Sequence, residues 1–341
     1  MRTPILSLCM LLLASCTANA HVTANQPFTL IGDSLPPIRH ITDMKAVADT
    51  LWFVYETEDG FGQRFLRKAV IDRDNNTLDV GPVLGKKSDG YYMAYMPYPV
   101  YGIDGNMQVV NQEDGEIFNC VNDSVLIRSK NYILSGNSAV PFSLSQYVQD
   151  ISSVDSDNYV FVGREPNGGE QFAMKANVAM AEIDSIRKIQ LSSELTTWLP
   201  NAGELAYSKK YDRLTFAYRL HPVIEIFGMD GKLMKQVRFG ENTFNRETLE
   251  EADFEELNPI HFLDISVTPQ YIYALHWNFK YTDAANTAPT IFKIDWDGNI
   301  IDRFFNVPLP LYKIAVSDDN LIIGWNGKKF VSLSEKYHQL P

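Results

Sequence analysis

Cysteine is scarce in this sequence, with three residues among 341. Cys9 and Cys16 lie in an N-terminal segment that we expect to be processed on export, which leaves Cys120 alone in the mature domain. An internal disulfide is therefore excluded there. Cys120 lies in a strand-like run over residues 116–121 with no histidine close to it in the sequence, so we expect a buried structural thiol rather than a nucleophile.

Positive charge is also in short supply. The chain has 30 Lys and Arg residues against 42 Asp and Glu residues, which gives a formal net charge of −12. Lysine pairs occur only in isolation, for example at Lys86-Lys87 and Lys209-Lys210, so no basic patch opposes the overall negative field. A phosphate backbone would be repelled, and we expect no nucleic-acid partner.

Recognised catalytic and cofactor motifs are missing. The six histidines show no HxH, HxxxH or Cys-His spacing, which argues against structural zinc. There is no GxSxG, no Walker loop and no GxGxxG before a helix. Residues 72–76, Asp-Arg-Asp-Asn-Asn, resemble the start of a calcium loop but lack its glycine and its closing glutamate, which favours an Asx-rich hairpin turn. We predict neither a metal nor a cofactor.

Long apolar runs are limited to residues 5–14, which is short of the roughly 20 residues that a membrane-spanning helix needs. This run follows Arg2 and indicates an export signal over residues 1–15. Leu13-Ala14-Ser15-Cys16 is typical of a bacterial lipobox, in which the cysteine becomes an acylated N-terminus. The alternative is ordinary signal cleavage near residues 18–20. We predict lipidation at Cys16 and a tether over residues 16–26.

Hairpin signals and strand-like repeats dominate the remaining sequence. Residues 291–305 and 223–239 each carry alternating apolar positions on both sides of an Asp-Gly pair, Asp297-Gly298 and Asp230-Gly231 respectively. Helix is scarce, and the one convincing amphipathic segment covers residues 246–257, with Asn245 or Thr243 as its cap and Pro259 after it. The pattern predicts an all-β protein.

A largely apolar quartet follows a polar turn at six places, which start at residues 51, 107, 159, 214, 271 and 321. The intervals of 56, 52, 55, 57 and 50 residues each leave room for four short strands. We therefore predict one domain over residues 27–341, a six-bladed β-propeller of four-stranded antiparallel blades. The last blade is one strand short. We expect the lone strand at residues 27–31 to fill that place and close the ring.

The lipobox at Cys16, the sixfold repeat and the hairpins around Asp-Gly pairs together resemble the TolB-like six-bladed β-propeller lipoproteins of bacteria. The resemblance covers nearly the whole mature chain. That family has no shared catalytic signature that can be carried over to this sequence.

Propeller geometry places the longest insertions of this chain around one mouth of the central channel, where ligand binding is expected. On that face, His276, Trp277, Phe279 and Tyr281 can form a platform that stacks on a sugar or a peptide side chain. The alternative is that Trp277 and Phe279 continue the strand and pack between blades. Tyr91 and Tyr92 pose the same choice, with packing favoured. His40 and His261 precede inner strands and can face the channel.

These features predict a lipid-anchored protein of the bacterial envelope, held on the outer membrane and facing the periplasm. Neither an aspartate after Cys16 nor an acidic run marks the tether for another location. We expect the propeller to bind an envelope protein, a peptide or a glycan without catalysis, and to contact the membrane only through its lipid. The alternative is a metal-dependent hydrolase or lyase, with a channel cation held by single acidic residues such as Glu204 and Asp264.

Overall fold

The computed structural model describes residues 21–58, 64–84, 97–101, 106–111, 116–121, 125–132, 149–164, 169–180, 182–249, 251, 253–305, 307 and 310–336. These residues form 25 strands that are grouped in six blades around a channel. The all-β six-bladed propeller predicted from the repeat is confirmed.

The first three blades are formed by consecutive antiparallel strands. Blade 1 contains β3 (Ile38–Val47), β4 (Thr50–Thr57), β5 (Arg64–Asp72) and β6 (Thr77–Leu84). Blade 2 contains β7 (Pro97–Tyr101), β8 (Met107–Asn111), β9 (Glu116–Val121) and β10 (Val125–Tyr132). Blade 3 contains β11 (Gln149–Ser153), β12 (Asn158–Arg164), β13 (Gln171–Asn177) and β14 (Glu182–Lys188).

The other three blades follow the same order from the channel outwards. Blade 4 contains β15 (Gly203–Ser208), β16 (Arg213–Tyr218), β17 (Val223–Gly228) and β18 (Leu233–Arg238). Blade 5 contains β19 (Ile260–Val267), β20 (Tyr271–Phe279), β21 (Thr290–Asp295) and β22 (Ile300–Phe305). Blade 6 contains β23 (Lys313–Val316), β24 (Ile322–Trp325), β25 (Phe330–Lys336) and β1 (His21–Pro27).

The apolar quartets found in the sequence lie in the second strands of the six blades, as predicted. A second strand is flanked by strands on both edges and by neighbouring blades on both faces, so most of its side chains are buried. In β4, for example, the six residues Leu51–Glu56 are all buried. The quartets are therefore continuous apolar runs because they lie in the centre of each blade.

The N-terminal segment closes the ring, but the closing strand differs in position from the one predicted. β1 pairs antiparallel with β25 over residues 22–27 and supplies the missing fourth strand of blade 6. Residues 21–26 were expected to be tether. The segment at residues 27–31 instead continues into β2 (Thr29–Gly32), which pairs parallel with β6 as a fifth strand of blade 1. β1 also pairs briefly with β22 of blade 5, through residues 21 and 22.

The predicted hairpin turns are present. Gly231 and Gly298 have φ angles of 76° and 82°, a region that suits glycine, and each joins the two outer strands of its blade. The carboxylate of Asp72 accepts hydrogen bonds from the backbone and side-chain nitrogens of Asn75, at 3.1 Å and 2.7 Å. Residues 72–76 therefore form the Asx-type turn that the sequence favoured over a calcium loop.

The core consists of apolar clusters that fill the spaces between adjacent blades. One cluster joins blades 5 and 6 and contains Tyr273, Leu275 and Trp277. Another joins blades 6 and 1 through Phe53 and Phe330, whose ring centroids are 5.0 Å apart. Cys120 is buried, in agreement with the prediction of a structural thiol.

The predicted helix at residues 246–257 is replaced by two shorter elements, a 3₁₀ turn at Arg246–Thr248 and the helix α1 (Phe254–Leu257). Asn245 caps the 3₁₀ turn by accepting a hydrogen bond from the backbone of Glu247. The side chain of Asn258 donates to both Thr248 Oγ1 and the carbonyl of Phe254, at 2.7 Å and 2.9 Å. This link holds the two elements as a compact loop rather than one continuous helix.

Candidate functional site

The inner strand of each blade contributes polar or charged side chains to the lining of the channel. One from each blade, taken in blade order, gives the set Asp43, Tyr98, Asp150, Glu204, Asp264 and Lys313. We call this set the channel ring. It brings four carboxylic acids, one phenol and one ammonium together in a protein interior, where unpaired charges are costly.

Three ring carboxylates bind the backbone of the next inner strand. Asp150 Oδ2 accepts a hydrogen bond from the backbone N–H of Leu205 at 2.9 Å, and Glu204 Oε2 accepts one from Ile265 at 3.4 Å. Asp264 Oδ2 accepts one from Ile314 at 2.7 Å. In each case the donor directly follows the ring residue of the next blade. The ring carboxylates therefore connect blades 3, 4, 5 and 6 in sequence.

The series is interrupted between blades 1 and 2. The ring residue of blade 2 is Tyr98, and the residue after it is Pro99, which has no backbone N–H. Within the described part of the chain, Asp43 Oδ2 is buried without a hydrogen-bond partner. The carboxylate of blade 1 thus lacks the partner that its equivalents in blades 3, 4 and 5 have.

Irregular strand pairing directs the aspartates into the channel. The register between first and second strands shifts between Ile41 and Asp43 in blade 1, and between Phe262 and Asp264 in blade 5. In blade 3 the shift brackets Asp150, whose φ angle of 53° lies in the left-handed region that aspartate tolerates. Glu204, which has a longer side chain, lies in a regular stretch of blade 4. Such bulges commonly re-aim a side chain near a functional site.

Lys313 supplies the positive charge of the ring. Its Nζ lies 2.8 Å from Asp264 Oδ1 and 3.1 Å from Glu204 Oε1, and all three side chains are mostly buried. Glu204 and Asp264 were the residues considered for a channel cation in the metal-dependent alternative. The ammonium of Lys313 occupies the position between them, and no group of three or more His, Cys, Asp or Glu side chains in the described residues is arranged to hold a metal ion.

Burial shifts the pKa values of the ring. Desolvation raises the pKa of Asp150 to about 7 and raises the pKa of Asp264 well above its ordinary value. Burial also raises the pKa of Tyr98. For Lys313, desolvation lowers the pKa, but Asp264 and Glu204 outweigh it and raise the pKa overall. The ring therefore combines carboxyl groups of raised pKa with the ion pairs of Lys313.

Two cavities meet at the ring. The larger has a volume of about 750 Å³ and opens on the side of the loops that join second to third strands. We call it the mouth cavity. The smaller, of about 360 Å³, lies towards the turns that join first to second strands. Asp43, Tyr98, Asp150 and Glu204 line both cavities. Lys45 lines the smaller cavity, with its Nζ 4.5 Å from the centre of the Tyr98 ring.

The walls of the mouth cavity combine basic and aromatic side chains. Arg39, Arg64 and Arg219 line it, although the whole protein is acidic. Tyr281 and Tyr312 also line it, with ring centroids 6.4 Å apart. Its volume lies within the usual range for small-molecule sites.

The aromatic residues predicted as a platform divide into two groups. Trp277 and Phe279 are 3% and 8% exposed and stack on each other with centroids 4.7 Å apart. They continue strand β20, which is the packing alternative stated above, and the Trp277 indole donates a hydrogen bond to the carbonyl of Leu311 at 2.9 Å. Tyr281 is 54% exposed and lies at the mouth. The buried pair therefore supports Tyr281 and Tyr312 from beneath.

His261 and His276 lie in the core and not in the lining of either cavity described here. His276 stacks on His261 with ring centroids 5.8 Å apart and also contacts the rings of Phe262 and Phe292. Desolvation lowers the pKa of His261 to about 4 and that of His276 to about 3. The expectation that His261 faces the channel is thus replaced by a buried, neutral histidine pair.

His40 lines the mouth cavity, and its Nε2 lies 3.4 Å from Glu56 Oε2, which also pairs with Arg64. Tyr91, Tyr92 and Cys16 lie outside the described residues. The sequence reasoning did not identify Asp43, Asp150, Arg219 or Lys313. A usable signal was present for three of them, since each places a charge inside a short inner strand that is otherwise suited to burial.

Comparison with solved structures shows a shared fold. A member of the duf4221 family from Bacteroides vulgatus has a TM-score of 0.56 and 9% identity, over 93% of this chain and 97% of that chain. A streptogramin B lyase has a TM-score of 0.47 and 11% identity, over 92% and 98% of the two chains. A gluconolactonase from Xanthomonas campestris has a TM-score of 0.47 and 12% identity, over 94% and 98%. The sequence matches no protein-family model, and comparison with curated proteins gave no match.

Replacing Lys313 by methionine tests its role in the ring. We expect Lys313→Met to lower the unfolding free energy by about 3–5 kcal/mol, because Glu204 and Asp264 then remain buried without their cation. Adding Glu204→Gln and Asp264→Asn to the same chain removes those charges and should restore most of the loss. Denaturant unfolding of the three proteins measures both effects. Equal stability of wild type and Lys313→Met would contradict the assignment.

The histidine pair predicts that stability depends on pH. Since the pKa values of His261 and His276 are about 4 and about 3 in the folded state and about 6.5 when unfolded, the unfolded chain binds more protons between these limits. Stability should therefore fall as pH drops from 6.5 to 4, by about 3 kcal/mol for each histidine.

Thermal unfolding between pH 7 and pH 4 checks this dependence. The variant His276→Phe, which fits the surrounding phenyl rings, should lose less stability over that interval than wild type. His40→Gln changes an exposed histidine and is the control. A pH slope that is unchanged in His276→Phe would show that this pair does not titrate as described.

Proposed function

We propose that this protein is a lipid-anchored binding protein of the bacterial envelope that takes up a peptide or glycan in its mouth cavity. The single observation that carries the proposal is the mouth cavity of about 750 Å³, lined by residues of the channel ring and walled by arginine and tyrosine side chains. Such a mixture of aromatic faces and fixed polar groups suits ligands that carry both apolar faces and hydrogen-bonding groups.

The aromatic wall supports uptake of a ligand with a flat or ring-shaped apolar face. Tyr281 presents an exposed ring, while Tyr312 and Trp277 lie 6.4 Å and 6.0 Å from it between ring centroids. Since Trp277 is fixed by its hydrogen bond to Leu311, the platform is pre-organised and little side-chain freedom is lost on binding.

The arrangement of the ring favours binding over catalysis. Asp150, Glu204 and Asp264 hold the backbone of neighbouring blades, and Lys313 pairs with two of them. These groups stabilise the scaffold, and their polar atoms are engaged in contacts within the protein. The metal-dependent hydrolase or lyase that the sequence left open has no set of ligands behind it among the described residues.

The membrane anchor is proposed from the sequence alone. Leu13-Ala14-Ser15-Cys16 matches a lipobox, and the TolB-like lipoproteins that the chain resembles have the same N-terminal arrangement. Among the described residues, no helix has the length and apolar character needed to cross a membrane. We propose that acyl chains on Cys16 hold the propeller on the outer membrane, facing the periplasm.

Substitutions at the aromatic wall test the binding proposal. Tyr281→Ala should weaken binding at least about fivefold, because stacking on this ring contributes on the order of 1 kcal/mol. The measurements are retention of peptides from a random tripeptide library and binding to a glycan array. Tyr211→Ala removes an exposed tyrosine at a turn of blade 4, away from the mouth cavity, and should leave binding unchanged.

Trp277→Ala tests whether Trp277 supports the tyrosine platform rather than contacting the ligand. Loss of this buried side chain should cost about 3–5 kcal/mol of unfolding free energy, so its effect on binding follows from its effect on folding.

If folded wild-type protein retains neither peptide nor glycan, the binding proposal fails.

The anchor has its own test. In bacteria fed an alkyne-labelled fatty acid, the wild-type protein should carry the label and Cys16→Ser should not, because the thiol of Cys16 receives the lipid. Cys9→Ser removes a cysteine inside the predicted signal and should still be labelled. A mature protein that begins near residue 20 and carries no label would refute lipidation.

A further inference from the structure

Two charged side chains of the mouth cavity stand apart from the others because each has an atom without a hydrogen-bond partner in the described part of the chain. These atoms are Asp43 Oδ2 and Arg219 Nε, and both are buried. Buried polar groups are nearly always hydrogen-bonded, so each exception calls for an explanation, such as a ligand.

The other charges of the mouth are already paired. Arg64 and His40 contact Glu56, and Lys313 contacts Glu204 and Asp264. Asp150 accepts the backbone N–H of Leu205. A ligand that bound any of these groups would have to break an existing interaction, whereas Asp43 and Arg219 can gain one.

One carboxylate oxygen of Asp43, Oδ2, has no partner among the described residues because of the sequence of blade 2. The N–H that the other ring aspartates receive from the next blade is missing at Pro99. Burial raises the pKa of Asp43, with Lys45 and Lys313 acting in the opposite direction. A cationic donor placed beside this carboxylate would favour its charged form, so the site gains most from a positively charged ligand group.

Arg219 is held rigidly by its backbone. Its N–H donates to the carbonyl of Ala202 at 2.7 Å, and its own carbonyl accepts from the N–H of His261 at 2.6 Å. The guanidinium lines the mouth beside Glu204, whose carboxylate is already bound by Lys313. A planar guanidinium whose Nε–H has no partner among the described residues matches a carboxylate, which can accept two parallel hydrogen bonds from such a group.

The two residues face the cavity from opposite sides. Asp43 belongs to blade 1 and Arg219 follows the second strand of blade 4, and these blades are separated by two others in either direction around the ring. One anionic and one cationic group thus remain available on opposing walls of a single cavity.

We infer that the mouth cavity is built for a zwitterion, namely a short peptide with free termini whose ammonium pairs with Asp43 and whose carboxylate pairs with Arg219. This inference rests on the proposed function and chooses the peptide over the glycan. A neutral glycan would give neither side chain a charge-assisted hydrogen bond, and a cation alone would satisfy Asp43 but not Arg219. A peptide satisfies both and places its side chains against Tyr281 and Tyr312.

The test uses the full mature chain and a random tripeptide library prepared in four forms: with free termini, N-acetylated, C-amidated and doubly capped. Equilibrium dialysis with mass spectrometry measures which peptides are retained. We expect each cap to weaken retention by wild type at least about tenfold, since each removes one charge pair.

Two variants assign the termini. Asp43→Asn should bind free and N-acetylated peptides equally well while it still discriminates against the amide. Arg219→Gln should show the reverse. The controls Asp184→Asn and Arg238→Gln change exposed charges on outer strands of blades 3 and 4 and should retain the wild-type preference. Circular dichroism confirms that each variant is folded.

The possible failures are distinguishable. If wild type retains capped and free peptides equally, the zwitterion inference is overturned while binding in the mouth stands. If a glycan array gives Tyr281-dependent binding and no tripeptide is retained, the inference is likewise overturned and the proposed function stands. If neither class binds, both fall.

Discussion

The inner strand of every blade has one edge without a partner strand, and this free edge determines what lines the channel. All six inner strands, β3, β7, β11, β15, β19 and β23, lie at the end of their sheets. The backbone N–H groups on this free edge need hydrogen-bond acceptors, because buried backbone donors are nearly always paired. In blades 4, 5 and 6 a carboxylate from the preceding blade meets this need. The acidic side chains of the channel therefore serve first as hydrogen-bond acceptors for backbone N–H groups on these free edges.

Placing several carboxylic acids in the channel also brings repulsion between them, which the ammonium of Lys313 reduces. Four carboxylic acids around a narrow channel repel one another, and desolvation raises the pKa of Asp150 and Asp264. A lysine on the inner strand of blade 6 brings positive charge between Glu204 and Asp264. Pro99 has no backbone N–H to donate, so Asp43 Oδ2 has no hydrogen-bond partner among the described residues. Scaffold and candidate binding site thus depend on the same interaction, which is present between blades 3 and 6 and absent at Asp43.

The sequence predicted the architecture well because burial of the second strands leaves a direct trace. The apolar quartets recur at near-constant intervals, and the Asp-Gly pairs mark the outer hairpins. The candidate site was predicted poorly, since channel residues come from six segments that are about 50 residues apart and carry no local motif. Trp277 and Phe279 were predicted as platform residues because an aromatic run has the same sequence pattern whether it extends a buried strand or forms a ligand platform. Tyr281, two residues further on, lies at the mouth.

The N-terminal segment acts as a belt around three blades. Residues 21–32 touch the outer strand of blade 5, complete blade 6 and continue along blade 1. If Cys16 is anchored in a bilayer, residues 17–20 can span no more than about 14 Å, so the propeller is held at its circumference and close to the lipid. A pull on that tether runs along β1, whose hydrogen bonds to β25 lie side by side. These hydrogen bonds would be loaded together in shear, so the strand that closes the ring also resists mechanical detachment of the tether.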